Sequence, residues 1–238
     1  MSNTAPPQGL LFDSTLHSCP YLAGRTAQLP LRWYSSRIAP EDFDALLALS
    51  DRRVGRSLYR PSCPACEECK GIRVPTATFE ASRSQRRAAR KNLDLTVHVG
   101  PVTVDSERVA LFNKHKQLRD LGEADLTQAR YREWLVSSCT ETVETQYRIG
   151  DKLVGVGVVD LGRRSASSVY FYFDPDHEDR SLGVFSVLAE IAWLRSQGFE
   201  YYYLGLYVAD CAQLNYKARY YPHERLVDGR WVRFEAPP

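Results

Sequence analysis

V-Y-F-Y-F-D-P-D (Val169–Asp176), S-L-G-V-F-S-V-L-A-E-I-A-W-L (Ser181–Leu194) and Y-Y-Y-L-G-L-Y (Tyr201–Tyr207) are the stretches whose reading decides the fold. Val169, Phe171 and Phe173 alternate with Tyr170 and Tyr172, the period-two pattern of a strand. Pro175 has no amide to donate and holds Asp174 extended, so the strand ends there. Ser181 is placed to cap a helix over about 182–196. Its apolar residues Leu182, Phe185, Leu188, Ile191, Ala192 and Leu194 cover most of the circumference and predict burial. Gly198 stops the helix, and a second strand follows over about 201–206. Strand, helix and strand with short connections imply a crossover joining a parallel pair. An acidic turn and a helix N-terminus then meet at the strand's carboxyl end, where open sheets place ligands. A core crossover with a solvated turn gives the same pattern, so this stretch defines architecture and leaves activity open.

The 238 residues suffice for one large domain or two small ones. Hydrophobic residues make up 44% and charged residues 25%, ordinary for a globular protein with a sizeable core. With a net charge of only +2, any affinity for nucleic acid must come from uneven placement of charge. No apolar run is long enough to span a membrane, and M-S-N-T-A-P-P-Q-G lacks the regions of a secretion signal. Six cysteines without such a signal point to reduced thiols in a cytoplasmic protein.

Residues 1–18 show little pattern and read as an ordered arm or a frayed start. Leu31 to Tyr34 reads as a strand entry. Pro40, followed by Glu41 and Asp42, opens a helix that buries Phe43, Leu46 and Leu47. Cys63, Cys66 and Cys69 then form two overlapping C-x-x-C steps, a spacing that lets neighbouring sulfurs turn back on one ion. Cys19 is the best fourth ligand, ahead of Cys139 and Cys211, and the metal is zinc or an iron–sulfur cluster. Small buried thiols under a loop are the plainer alternative.

Arg83, Arg86, Arg87 and Arg90 fall at i, i+3, i+4 and i+7, with Lys91 next and no acid among them. A helix points all four arginines one way, and planar guanidinium groups suit phosphate oxygens. Without acids to compensate it, the stripe reads as a nucleic-acid backbone contact rather than a salt-bridged surface. Further on, Leu93 to Val99 alternates as a strand. Asp105 or Ser106 caps a helix to about Leu121, and Thr127 caps another carrying Tyr131, Trp134 and Leu135. A hairpin turns at Gly150-Asp151, and its G-V-G-V-V run marks a close approach to the backbone or a bulge beside a ligand. The domain boundary falls near Gly100-Pro101, dividing the chain into 1–99, with the cysteines and basic stripe, and 100–238, with the crossover unit.

Helices, hairpin, strand, buried helix, parallel strand and final helix together resemble the GNAT acyltransferase fold, an α/β (α+β) architecture with a mixed sheet and a crossover helix. Coenzyme A users of that fold expose amides to a pyrophosphate in a glycine-rich turn. Here the turn is D-H-E-D-R-S-L-G (Asp176–Gly183), and Glu178 and Asp179 repel such an anion.

C-P-Y-L-x-x-R (Cys19–Arg25), Y-R-P-x-C-x-x-C-x-x-C (Tyr59–Cys69), S-R-S-Q-R-R (Ser82–Arg87), Y-F-D-P-D with S-L-G-V-F-S, Y-L-G-L-Y and N-Y-K-A-R-Y-Y-P (Asn215–Pro222) resemble the aminoacyl-tRNA–protein transferases. The likeness runs from about Cys19 to Pro222. Its short length and triple cysteine are similar to the bacterial branch, which moves leucine from leucyl-tRNA to proteins with N-terminal Asp or Glu, marking them for degradation. Gln213-Leu214 stands where the family often has a Lys-Met pair.

The resemblance implies aminolysis of an ester with no required cofactor, and leucyl-tRNA and acidic protein N-termini as partners. For this chemistry Asp174, with Asp176 second, is the candidate to orient the amine and take its proton. Lys217 and Arg219, with Arg60 or Arg73, are candidates to hold the acceptor carboxylate. Tyr170, Tyr172, Tyr202 and Leu204 are candidates for the wall of a leucyl pocket. Arginyl transfer by the same mechanism, a metal-stabilised RNA-binding module and a coenzyme A acetyltransferase are the alternatives.

Overall fold

The structure, a computed structural model, describes residues 7–122 and 124–235. The first six residues of the N-terminal arm therefore lie outside it. Short strands come first: β1 (Leu10–Asp13), β2 (Leu16–Ser18), β3 (Thr26–Gln28) and β4 (Leu31–Trp33). Helix α1 (Pro40–Ala48), β5 (Arg52–Val54), β6 (Ser57–Tyr59), β7 (Lys70–Pro75), α2 (Arg83–Arg90) and β8 (Thr96–Pro101) follow. Then come α3 (Ser106–Leu118), α4 (Gln128–Tyr131), β9 (Glu141–Ile149), β10 (Lys152–Leu161), β11 (Ser165–Phe173), α5 (Leu182–Ser196) and β12 (Tyr201–Tyr207). Helix α6 (Ala212–Asn215) and the hairpin of β13 (His223–Val227) and β14 (Arg230–Phe234) complete the described chain.

Eight strands form one sheet in the order β14-β13-β7-β12-β11-β10-β9-β8. The expected crossover is present: β11 and β12 are parallel and α5 joins them. Other neighbours in this sheet are antiparallel. Strand β7, from the cysteine-containing segment, lies between β12 and β13. The boundary expected near Gly100-Pro101 falls inside β8, and the first hundred residues supply two strands of the large sheet. The final helix expected after β12 is one short turn, and a hairpin follows it.

Alternating side chains bury both faces. Ile72, Val74, Tyr202 and Leu204 pack with Ile191 and Leu194 of α5. Val156, Val158 and Tyr172 pack with Leu111 and Phe112 of α3 on the other face. Phe43, Leu46 and Leu47 of α1 are each 1% exposed and pack on Leu58 and Tyr203. Truncating any one of them to Ala removes transfer energy and leaves a cavity, a cost of about 2–5 kcal/mol.

The buried face of α5 is less uniformly apolar than its sequence suggests. Glu190 is 2% exposed, while Ala192 faces solvent. The Glu190 carboxylate accepts hydrogen bonds from the hydroxyls of Tyr202, Thr145 (2.8 Å) and Tyr147 (3.4 Å). A Cβ at Gly157 would collide with Glu190 and Thr145. The close approach signalled by G-V-G-V-V is therefore made by the protein's own carboxylate.

Candidate active site

The ladder between β11 and β12 is short. It joins Ser165, Ala166 and Ser167 to Tyr201, Tyr202 and Tyr203, and both strands then continue without pairing to each other. Gly205, in the part of β12 that no longer pairs with β11, has φ +96°, a conformation that favours glycine. The space a Cβ would occupy there is filled by the guanidinium of Arg52 from β5. Arg52 Nη2 donates to the Ser168 carbonyl oxygen at 2.8 Å, and its buried Nη1 has no partner among the described residues.

Lys217 reaches the same region and donates from Nζ to the Leu206 carbonyl oxygen at 2.9 Å. Burial, followed by the neighbouring Arg52 charge, pushes its ammonium down to about 7. Neither cation has a carboxylate within ion-pair distance among the described residues. A partly buried amine without a counter-ion sheds some of its charge, so an anion bound here would hold Lys217 protonated and pair with Arg52.

A cavity of about 450 Å³ adjoins this region, between α2, the start of α5 and residues 216–220. Arg87, Lys91, Arg219, Ser82, Ser181 and Tyr216 are among its walls, and no acidic residue is. Lys91 Nζ donates to the Asp179 carbonyl oxygen at 2.7 Å, and Gln85 Nε2 donates to that of Arg219 at 3.1 Å. Ser82 and Gln85 form a reciprocal capping box that starts α2, and Arg83, Arg86, Arg87 and Arg90 are all exposed. Ser181 stands at the N-cap of α5 but makes no side-chain cap. Its backbone is left-handed (φ 58°, ψ 45°), where capping needs an extended residue.

The acidic turn differs from expectation. Asp174 is 2% exposed and lies between Lys114 Nζ (2.6 Å) and Lys152 Nζ (2.8 Å). Burial opposes its ionisation, but the hydrogen bonds from Lys114 and Lys152 outweigh that and hold the carboxyl at about 2. Such a carboxylate is a weak base, and the side chain expected to orient the amine and take its proton is already engaged by two lysines. Asp176 is exposed and shares Lys114, while Glu178 pairs with Arg119 at 3.0 Å. The turn's charges are largely neutralised from α3.

Of the aromatic pocket candidates, Tyr172 and Tyr202 are fully buried, their hydroxyls bonded to Tyr131 (2.6 Å) and Glu190, and Leu204 is core. Tyr170 is half-buried and packs on Phe112 and Trp134, with ring centroids at 5.7 and 5.0 Å. Those two residues line an apolar cavity of about 830 Å³ that also carries Phe12, Trp33, Arg56 and Arg130.

Arg73 is committed elsewhere: it pairs with Glu224 at 2.7 Å and stacks on Tyr201 and Trp231. Arg60 and Arg32 both pair with the buried Asp51. Cys19, Cys63, Cys66 and Cys69 are free and half-buried. Burial, then its neighbours Cys63, Cys19 and Cys66, pushes the Cys69 thiol up to about 12. These soft donors suit zinc or an iron–sulfur cluster, but among the described residues no three Cys, His, Asp or Glu side chains are gathered as a ligand shell. Cys63 Sγ instead accepts from the Gln28 amide at 3.4 Å.

Comparison with known proteins identifies the class. Residues 17–87 match the family model of the arginine-tRNA-protein transferase N terminus, and residues 107–227 match that of the C terminus. The chain belongs to the arginine-tRNA-protein transferase family. It is 35% identical to an aspartate/glutamate leucyltransferase of Saccharophagus degradans over 94% of this chain and 96% of the relative. A relative with the same description from Aeromonas hydrophila is 34% identical over 93% and 94%. A weaker likeness, of shape only, is to a GCN5-related glucosamine N-acetyltransferase region of a fungal multi-domain enzyme. Its TM-score is 0.40 at 10% identity, over 69% of this chain and 20% of that one. No helix among the described residues is long and apolar enough to cross a membrane.

Proposed function

We propose that this protein transfers leucine from leucyl-tRNA to the α-amine of proteins that begin with Asp or Glu. The relatives' descriptions support that pairing of donor and acceptor. The observation that carries it in this chain is the meeting of Arg52 and Lys217, neither with a carboxylate partner among the described residues, where β11 and β12 part from each other. The acceptor's side-chain carboxylate supplies the missing charge, and a neutral Asn or Gln side chain does not.

In the transfer, the acceptor nitrogen attacks the ester carbonyl carbon. A C–N bond forms, the bond from that carbon to the ribose oxygen breaks, and the proton lost by the amine ends on the ribose hydroxyl. The ester is already activated, so the protein's main contribution is placement of the two reactants. A free α-amine has a pKa near 8, so a useful fraction is neutral at pH 7 without a strong base. Asp174, pinned by Lys114 and Lys152, acts in this scheme through charge and position at the end of β11. Tyr170 is the one of the four aromatic and apolar candidates that packs against cavity-lining residues, Phe112 and Trp134.

The reaction needs no cofactor in this scheme. A zinc ion or iron–sulfur cluster on Cys19, Cys63, Cys66 and Cys69 would be structural, and a cytoplasmic location fits the free thiols. Arginyl transfer is the second reading, favoured by the description of the family itself. The test is transfer of labelled leucine or arginine from the respective tRNA to peptides beginning with Asp, Glu, Asn and Gln. Leucine on the acidic pair alone is expected. Arginine incorporation selects the second reading, and no incorporation from either tRNA ends both.

A further inference from the structure

We infer that the cavity between α2, the start of α5 and residues 216–220 binds the backbone phosphate next to the aminoacylated terminal nucleoside of the donor. This rests on the tRNA-dependent reading above and gives it a specific donor subsite. Arg87, Lys91 and Arg219 bring three cations to one space of about 450 Å³, with hydroxyls of Ser82, Ser181 and Tyr216 and no carboxylate. Arg87 and Arg219 form no ion pair among the described residues, although the protein pairs many of its other arginines. Guanidinium groups held apart from acids in a nucleotide-sized cavity match a phosphate diester in shape and charge.

The acidic turn does not stand against this. Glu178 and Asp176 are engaged by Arg119 and Lys114, and Asp179 presents its backbone carbonyl to Lys91. The cavity walls are also fixed before any ligand arrives. Gln85 holds the Arg219 backbone, and Asn92 Nδ2 donates to the Arg180 carbonyl oxygen at 2.9 Å.

Two continuities orient the donor. Arg87 belongs both to this cavity and to the exposed arginine stripe of α2, so the cavity is the inner end of a phosphate track. Tyr216, another wall, lies within electrostatic range of Arg52. A phosphate seated here points the terminal ribose and its ester towards the gap between β11 and β12. Arg219 then belongs to the donor side, which leaves the acceptor carboxylate to Arg52 and Lys217.

The experiment uses the full chain and two small donors, 3′-O-leucyl-adenosine and the same compound bearing a 5′-phosphate, with a peptide beginning with Asp. Each charged contact to the phosphate should favour the phosphorylated donor by about tenfold in kcat/KM. The Arg87→Gln, Arg219→Gln double variant should shrink the ratio between the two donors towards one. A wild-type ratio near one, or a ratio that survives the double substitution, overturns the site. Direct binding of adenosine 5′-monophosphate against adenosine reads the same phosphate dependence without turnover. If leucyl-tRNA supports no transfer while that binding preference is present and lost in the double variant, the functional reading falls and the phosphate site stands.

Discussion

Arg52 Nη2 and the Ser168 carbonyl oxygen meet at 2.8 Å across 116 positions of sequence, and they do so where β11 and β12 cease to pair. The bond satisfies a carbonyl that the ladder leaves free and fixes a cation between the strands. Arg52→Met should therefore weaken discrimination between acceptors. Loss of a charged hydrogen bond costs about 1.5–3 kcal/mol, which corresponds to roughly 10–150-fold in kcat/KM for Asp peptides. Peptides beginning with Asn should change far less. An unaltered Asp-to-Asn ratio would remove Arg52 from the acceptor site.

Gly205→Ala tests the same geometry from the opposite strand. Its Cβ would enter the space of the Arg52 guanidinium, and φ +96° strains any L side chain. A loss on the order of 1–3 kcal/mol in stability is expected, visible in chemical denaturation. Because Arg52 is displaced, acceptor preference should fall along with it. Gly183→Ala, where a Cβ meets nothing within 4 Å, serves as the control for a harmless glycine replacement.

Glu190 gives stability a pH dependence of predictable sign. Burial raises its carboxyl from 4.5 to about 7, against the opposing hydrogen bonds of Tyr202, Thr145 and Tyr147. A group raised on folding stabilises fully below its unfolded pKa, and that stabilisation is lost as pH rises through the folded value. The wild-type protein should lose on the order of 3 kcal/mol between pH 4.5 and 7 from this group. Glu190→Gln should flatten that part of the curve of Tm against pH. A slope identical in the variant would place the titration elsewhere.

Asp174 has the opposite sign. Its folded pKa, about 2, lies below the ordinary 3.8, so its contribution is present above pH 3.8 and lost as pH falls towards 2. Asp174→Asn leaves Lys114 and Lys152 facing each other. With those lysines partly in solvent, a loss on the order of 2–3 kcal/mol at pH 7 is expected, less than for a fully buried pair. The acid limb of the rate profile should stay near the acceptor amine's pKa, about 8, in wild type and variant alike. A limb that moves with the substitution would restore Asp174 as the proton acceptor.

The cysteine segment predicts an order of reactivity. The Cys69 thiol at about 12 and the buried Cys139 thiol at about 11 carry little thiolate at pH 8. In reduced, chelator-treated protein, Cys69 should be alkylated more slowly than Cys66 three residues away, followed by mass spectrometry over time. Joint protection of Cys19, Cys63, Cys66 and Cys69 that disappears on chelation would report a bound metal.

The crossover unit was legible because its determinants are local: alternation in Val169–Phe173, a proline stop and a glycine after the helix. The α2 stripe was legible for the same reason, whereas the Ser82–Gln85 capping box that starts its helix emerged only from the structure. Strand β7 was not, because Ile72 and Val74 become a buried strand only when β12 and β13 flank them, more than a hundred residues later. Arg52 carried no local mark either. Its role comes from Ser168 and Gly205, both more than a hundred residues away. The aromatic candidates show the converse. Tyr172 and Tyr202 alternate as pocket walls would, yet Tyr131 and Glu190 offered their hydroxyls buried partners.

The place of β7 between β12 and β13 governs how the chain can reach this structure at all. Its two neighbours are synthesised long after it, so a growing chain presents β7 with both edges open and nothing native to pair with. High sequence separation of contacts slows folding, and unpaired edges invite association between chains. A fragment beginning after Pro75 would lack the strand that links the crossover unit to the C-terminal hairpin. Assembly of the large sheet is thus a late, whole-chain event, and β7 waits for its neighbours while the strands before it can already pair with one another.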